Sequence, residues 1–255
     1  HEAVAKARRY LSYLGPSVAA EPPASGDGLA SLVPDTGPYA MEPVIDAMVD
    51  ATSFFELRAG FARSVITGFA RLGGHSVGIL ASRPDHDAGR IDESAAVKVN
   101  RFIELCDSYD FPIVSLVDSA GCVTTWSGPA SEDGSASDAV RTPGVTRWHT
   151  RALIAHQHRS VPLFSVQVRR ANDLALSIMA GSPNARSVPV MHLAWPTTVL
   201  GHVDGYSKTR NVNTFDDVVE PEETRTRIER MLRYLPDRDR RRAGQSDKKH
   251  PVDTW

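Results

Sequence analysis

One cysteine and one histidine near the middle of the chain have the residue types that nucleophilic catalysis requires. Cys122 follows Gly121 at the end of a predicted strand, a location where nucleophiles can sit, and His149 could in principle act as its base. No fixed sequence spacing links the two side chains. The sequence therefore leaves two interpretations, a Cys–His pair or a half-buried thiol in a turn, and it favours the second.

Histidines also occur in pairs that could suggest a metal site. His156 and His158 lie on one predicted helix, and His86 directly precedes Asp87. Side chains at positions i and i+2 of a helix point in different directions, and no third ligand follows at a useful spacing. We therefore predict structural or solvent-facing histidines and no metal site.

Basic residues at two places could contact an anion. Arg169 and Arg170 end a predicted strand, where their forked guanidinium groups could bind a phosphate or a carboxylate, or could form ion pairs at the rim. The run from Arg238 to Arg242 and the later Lys248-Lys249-His250 favour a solvated surface, although they could steer an acidic ligand. Both alternatives stay open at each place.

The segments that must position these residues alternate between strands and helices. β-Branched runs predict strands at residues 64–70 and 76–81, joined through paired glycines, and further strands at 112–117 and 162–168. Apolar residues at helical spacing predict helices at residues 3–14, 41–49, 94–109 and 145–158, from Asn172 onward and from Pro221 onward. The alternation predicts an α/β fold with a parallel sheet and right-handed crossovers.

Two of the helices have inward faces that can be stated by residue. The helix from Asn172 is expected to direct four apolar side chains inward: Leu174, Ala175, Ile178 and Met179. The terminal helix is expected to bury Ile228, Met231, Leu232 and Leu235.

The first 38 residues are predicted to form an arm outside the main domain. Prolines and glycines between Glu21 and Pro38 interrupt the backbone too often for a helix or strand to form. The short Ala-rich helix before this linker has little to pack on by itself. The division is therefore an N-terminal helix and linker arm at residues 1–38, and a single domain at residues 39–255.

The composition of the chain excludes several functional classes. With 255 residues, 41% of them hydrophobic and 24% charged, the sequence is neither a disordered tail nor a membrane protein. A formal net charge of -2 argues against a dedicated nucleic-acid binder. Two cysteines cannot build a disulfide framework and no signal peptide is visible, so the expected location is the cytoplasm.

A series of short motifs follows in unbroken order through the chain. They include Thr67-Gly68-Phe69-Ala70-Arg71-Leu72-Gly73, Val77-Gly78-Ile79, Lys98 to Ile103, Ala194-Trp195-Pro196 and Asp217 to Pro221, and their order is more specific than any one of them. In this order they resemble the C-terminal half of the carboxyltransferase β subunit of biotin-dependent acyl-CoA carboxylases, of the propionyl-CoA carboxylase type. The resemblance runs from His1 to about Lys249. It implies a crotonase-like (ClpP/crotonase) spiral of ββα units.

The resemblance also implies a chemistry, a cofactor and partners. In that family the N-terminal half holds the acyl-CoA, the C-terminal half receives the biotin of a carrier protein, and main-chain N–H groups stabilise developing negative charge. The implied partners are a CoA-side half or subunit, a biotin carboxyl carrier protein, acyl-CoA and further copies in an oligomer. The implied main-chain donors are Gly121, Leu174 and Ala175, and the implied substrate contacts are Ala120, Arg169, Arg170 and Asp173.

The chain departs from the family where that chemistry is located. The family's Asp-x-Pro-Gly-Phe turn is Asp118-Ser119-Ala120-Gly121-Cys122 here, and its Gly-Gly-Ala turn is Asp173-Leu174-Ala175. A leucine side chain would crowd an oxyanion hole, and an aspartate brings negative charge where an anion should bind. Three hypotheses follow: a carboxyltransferase subunit that needs a CoA-side partner, a non-catalytic scaffold homologue, or an altered crotonase-type decarboxylase or hydrolase.

Overall fold

The computed structural model describes residues 1–23, 28–123, 143–181, 190–202, 205–207 and 215–236. A mixed sheet of seven strands forms the centre of these described residues. Its spatial order is β1 (Phe55–Leu57), β2 (Val65–Leu72), β3 (His75–Ser82), β4 (Ile113–Val117), β5 (Leu163–Gln167), β7 (Val190–Ala194) and β10 (Asp217–Val218). The pairs β1–β2 and β2–β3 are antiparallel, and all later neighbours are parallel. A smaller sheet contains β6 (Arg170–Asn172), β8 (Val199–His202) and β9 (Gly205–Ser207).

Helices cover both faces of the main sheet. They are α1 (Glu2–Ser12), α2 (Glu42–Met48), α3 (Glu93–Tyr109), α4 (Pro143–His158), α5 (Asp173–Ala180) and α6 (Thr224–Tyr234). Alternate residues of β4 enter two separate cores, with Val114 and Leu116 facing α2 and α6 and Ile113 and Val117 facing α3, α4 and α5. None of the helices described is long and apolar enough to cross a bilayer.

The predicted alternation of strands and helices is confirmed, and so is the parallel sheet. The paired glycines form a two-residue hairpin turn, because Gly73 and Gly74 have φ values of +59° and +79° and join residues paired as Leu72 and His75. Both glycine N–H groups donate to the Asp50 carboxylate, at 3.0 and 2.7 Å. The hairpin is thereby attached to the end of α2.

The expectation that no helix forms between Glu21 and Pro38 is wrong at one place. A single 3-10 turn occupies Leu29–Leu32, and Leu29 and Val33 are buried in the core beside α2. Apolar side chains at this spacing can pack on the domain, and their burial outweighs the glycines and prolines around them. The linker is therefore partly packed against the domain.

Two side chains expected to face inward are exposed. Met231 of α6 is 39% exposed while Ile228 and Leu232 are buried, and Leu174 of α5 is 37% exposed while Ala175, Ile178 and Met179 are buried. In each helix the exposed residue lies at the margin of the apolar stripe. Helical spacing alone did not define where that margin falls.

The N-terminal helix has a surface to pack on within this chain. Tyr13 directly follows α1, is buried, and its hydroxyl donates to the Ser53 carbonyl. Arg9 donates to the Thr52 and Phe54 carbonyls at 2.8 and 2.7 Å, next to the outermost strand β1. Helix α1 is therefore attached beside the start of β1, where Arg9 also lies over the Phe55 ring.

Candidate active site

The first candidate turn follows β4 and is formed by Asp118 to Cys122. Gly121 adopts a φ of +123°, a conformation that glycine tolerates and side chains rarely adopt. Its N–H donates to Ser119 Oγ at 3.1 Å, and the Ala120 N–H donates to the Ala88 carbonyl at 3.0 Å. The structure therefore places Gly121 and Ala120 in one turn, and the N–H groups of both residues donate to acceptors inside the protein.

The second candidate turn is the start of α5. Asp173 is the first helical residue, and Leu174 and Ala175 belong to the first turn. The first N–H groups of an α-helix lack acceptors inside the helix and point outward along its axis. The Leu174 side chain is exposed at this helix start and the Ala175 side chain is buried. The first main-chain N–H groups of α5 can therefore donate hydrogen bonds to an anion.

The two turns lie at the same edge of the sheet. Strands β4 and β5 are parallel neighbours, so their carboxyl ends meet there. The Ser119 N–H donates to the Arg170 carbonyl at 2.9 Å, which joins the first turn to the start of β6, immediately before α5. The structure thus brings Ala120 and Gly121 to the same edge as the residues that lead into α5.

Arg169 and Arg170 form ion pairs with one buried carboxylate. Arg169 Nε lies 3.0 Å from Asp118 Oδ2, and Arg170 Nε lies 3.0 Å from Asp118 Oδ1. The Asp118 side chain is fully buried, Arg169 is 4% exposed and Arg170 is 29% exposed. The ion-pair alternative from the sequence describes this geometry, and a substrate contact by either arginine stays a prediction.

Sequence reasoning missed the role of Asp118. This carboxylate also accepts the Arg170 N–H at 3.2 Å, so it connects the ends of β4 and β5 through three hydrogen bonds. The sequence did contain a signal for this role, since Asp118 directly follows one predicted strand and Arg169 and Arg170 end the next. Buried charges in proteins are paired, and this rule could have predicted an ion pair between the aspartate and the arginines.

The geometry around Cys122 and His149 favours the half-buried thiol. Burial raises the pKa of Cys122 to about 12, so the group is a neutral thiol at physiological pH. His149 Nε2 lies 3.2 Å from the Ile91 carbonyl, to which it donates, and burial lowers the pKa of this imidazole. The Nε2 atom therefore carries a proton and holds a main-chain carbonyl, which leaves only Nδ1 able to accept a proton.

We expect the replacement Cys122→Ser or His149→Ala to leave the activity that the resemblance implies, carboxyl transfer with a CoA-side half present, within about tenfold of the wild-type kcat/KM. That factor corresponds to about 1.4 kcal/mol of barrier. The reason is that main-chain donors, and neither of these side chains, are expected to stabilise the developing charge. A loss of several decades in Cys122→Ser would instead indicate a nucleophilic mechanism.

The paired histidines diverge as the sequence predicted. His156 is buried, and its Nε2 lies 2.8 Å from the Ile178 carbonyl, whereas His158 is exposed. Among the described residues, no group of three histidine, cysteine or carboxylate side chains could hold a metal ion. The basic residues from Arg238 to His250 lie outside the described residues.

Comparisons with known proteins identify the family of this chain. The carboxyl transferase domain matches residues 1–201. The propionyl-CoA carboxylase carboxyltransferase subunit of Haloferax mediterranei is 31% identical over 290 residues, which cover 95% of this chain and 52% of that protein.

A solved single-chain, multi-domain long-chain acyl-CoA carboxylase has a TM-score of 0.75 at 26% identity, covering 89% of this chain and 25% of that chain. The transcarboxylase 12S structure has a TM-score of 0.75 at 24% identity, covering 97% of this chain and 53% of that chain, and it supports the fold.

The sheet order, the helices on both faces and the two turns at one edge place the chain among α/β domains of the crotonase-like class. Within that class, the chain belongs to the carboxyl transferase family. It spans about half the length of the Haloferax relative. The resemblance found in the motifs is thereby confirmed.

Proposed function

We propose that this chain is the biotin-side part of an acyl-CoA carboxyltransferase and acts with a CoA-side half or subunit. The observation that carries the proposal is the pair of turns at the carboxyl ends of β4 and β5, joined through Asp118. One turn contains Gly121 in a glycine-specific conformation, and the other is the start of α5. The first main-chain N–H groups of α5 are suited to holding developing negative charge.

Biotin, carried by a separate protein, would supply the carboxyl group when bound. The residues suited to hold it are Leu174 and Ala175, since the first N–H groups of α5 have no acceptor inside the helix. Gly121 is less suited as a donor while its N–H is bonded to Ser119 Oγ. Its role is to hold the turn so that Ala120 and Cys122 line the same edge.

The proposed partners follow from the share of the relatives that the chain covers. A CoA-side half would bring the acyl-CoA, and a biotin carboxyl carrier protein would bring the biotin. Several relatives are named as subunits of acyl-CoA carboxylases, and the transcarboxylase 12S core is described as a hexamer. We place the complex in the cytoplasm, since both cysteines are free thiols.

The decisive experiment is reconstitution of carboxyl transfer. The full chain is co-expressed with a CoA-side half, and transfer from carboxybiotin to acyl-CoA is measured. We expect transfer only in the mixture and none above background for either component alone, because the site lies between the two halves. A stable stoichiometric complex without transfer to any of a series of acyl-CoA substrates would reject the proposal.

A non-catalytic scaffold is the second candidate function, and a specific observation favours it. Leu174 is 37% exposed at the start of α5, so a leucine side chain stands at the surface beside the helix N–H groups. The Gly121 N–H is also bonded within its own turn. A scaffold would retain the fold and its interfaces while binding no biotin.

Restoring both glycines distinguishes the two functions. We expect the double variant Asp173→Gly, Leu174→Gly to bind free biotin at least about tenfold more tightly than wild type, because it removes one negative charge and one side chain from the helix start. Each change should cost about 1 kcal/mol of stability. Calorimetric titration measures both proteins, and saturable biotin binding by wild type at millimolar concentration would reject the scaffold.

A further inference from the structure

The Arg169 side chain joins the linker to the candidate site. Its Nη1 donates to the Pro34 carbonyl and its Nη2 to the Gly37 carbonyl, each at 2.9 Å. Its Nε donates to Asp118 Oδ2 at 3.0 Å, and its guanidinium carbon lies 5.0 Å from the centre of the Tyr39 ring. The guanidinium is thus held on three sides by groups that are far apart in the sequence.

The carboxylate bound by Arg169 belongs to the first candidate turn. Asp118 Oδ1 accepts from the Arg170 main chain and side chain, and the Ser119 N–H donates to the Arg170 carbonyl. A continuous chain of hydrogen bonds therefore runs from the linker carbonyls through Arg169 and Asp118 to the first turn and to Arg170, three residues before the start of α5. Each charged group in it is buried or partly buried, so water screens these interactions poorly.

We propose that Arg169 is a positioning residue that makes the geometry of the two turns depend on the placement of the linker at Pro34 to Tyr39. The expected effect on catalysis rests on the proposed function, whereas the structural coupling between the linker and the turns does not. Each guanidinium nitrogen of Arg169 already donates a hydrogen bond, and the side chain is 4% exposed. Moving it toward a substrate would leave the two linker carbonyls without their Arg169 donor and would leave Asp118 bonded to Arg170 alone of the two arginines.

Tyr39 offers a matched pair of variants for the test. Its ring is stacked on Arg169, and burial together with the neighbouring Asp118 carboxylate raises the pKa of its hydroxyl. Tyr39→Phe keeps the ring and removes only the hydroxyl, whereas Tyr39→Leu removes the ring. The pair therefore separates loss of the stacking surface from the effect of any substitution at this position.

Hydrogen exchange on the full chain measures the coupling without any assay of activity. In Tyr39→Leu we expect the amides of residues 119–123 and 174–175 to exchange at least about tenfold faster than in Tyr39→Phe. The amides of the β2–β3 hairpin serve as the internal reference and should not change. Faster exchange confined to the linker, or equal exchange in the two variants, would overturn the proposal.

A second variant covers the case in which Tyr39→Leu does not fold. Gly37 has a φ of +84°, and a Cβ added to it would meet no atom within 4 Å, so Gly37→Ala strains only the backbone that presents its carbonyl to Arg169. We expect the same exchange pattern from this change. Unchanged exchange at residues 119–123 in Gly37→Ala would count against the coupling.

The catalytic consequence is tested in the reconstituted complex. Arg169→Lys keeps the charge but cannot reach three acceptors with a planar fork, so we expect kcat to fall about tenfold with KM for acyl-CoA unchanged. A rise in KM with kcat unchanged would assign Arg169 to substrate binding and overturn the positioning role. An inactive wild-type complex would reject the proposed function, and the exchange result would still decide the coupling.

Discussion

Replacing Asp118 with alanine is expected to lower the free energy of unfolding by about 3–5 kcal/mol. The change removes the partner of the buried Arg169 guanidinium and leaves an uncompensated charge in the interior. It also releases Arg170, whose main-chain and side-chain N–H groups both donate to this carboxylate. Denaturant unfolding of the wild type and the variant measures the difference.

The matched control is Asp217→Ala, which removes another aspartate paired with an arginine. Asp217 lies 3.3 Å from Arg227, and both side chains are nearly half exposed. Solvent screens this pair, so its loss should cost less than about 1 kcal/mol. Similar losses for the two variants would show that the buried position of Asp118 has no special energetic importance.

Acid should destabilise this protein from about pH 6.5 downward, and His156 should account for a large share of the effect. Burial lowers the pKa of His156 to about 3, and the nearby Arg159 and His192 act in the same direction. Because the unfolded chain then binds more protons than the folded chain, stability is present above the ordinary histidine pKa and falls as the pH decreases. For His156 alone, the loss between pH 8 and pH 5 amounts to about 2 kcal/mol.

The variant His156→Gln tests this assignment by the pH dependence of unfolding. Glutamine keeps a donor for the Ile178 carbonyl but does not titrate, so the loss of stability between pH 8 and pH 5 should shrink by about 2 kcal/mol. His158→Gln is the control, since that side chain is exposed two residues away. An identical pH profile for wild type and His156→Gln would contradict the prediction. His149 and His192 have pKa values lowered by burial as well, so some acid sensitivity should persist.

The bonded Gly121 N–H changes how the family's chemistry applies to this chain. Ser119 Oγ, one residue before the turn's alanine, accepts that N–H and occupies the donor that the resemblance assigned to charge stabilisation. The start of α5 is then the better candidate, and it is the place where the resemblance puts the family's two glycines. The biotin titration of the double glycine variant therefore tests the proposed function directly.

The sequence by itself determined the order and type of most elements. Strand and helix signals depend on residues within a few positions of one another, as in the Gly73-Gly74 turn between two β-branched runs. The apolar repeat that predicted α3 likewise coincides with buried residues of that helix, including Val99, Phe102 and Cys106. The order of the motifs indicated the family for the same reason, because it is a property of the linear chain.

Only the tertiary structure decided what the polar side chains do. Arg169 meets the Pro34 carbonyl across 135 residues of chain, and neither residue carries a local signal of the other. Leu174 and Met231 lie at the margins of helical stripes, where the neighbouring elements set exposure. Secondary-structure propensity depends on residues that are close together in the sequence. The partners of a buried charge depend on the cost of removing that charge from water, and this cost arises only after distant segments have packed together.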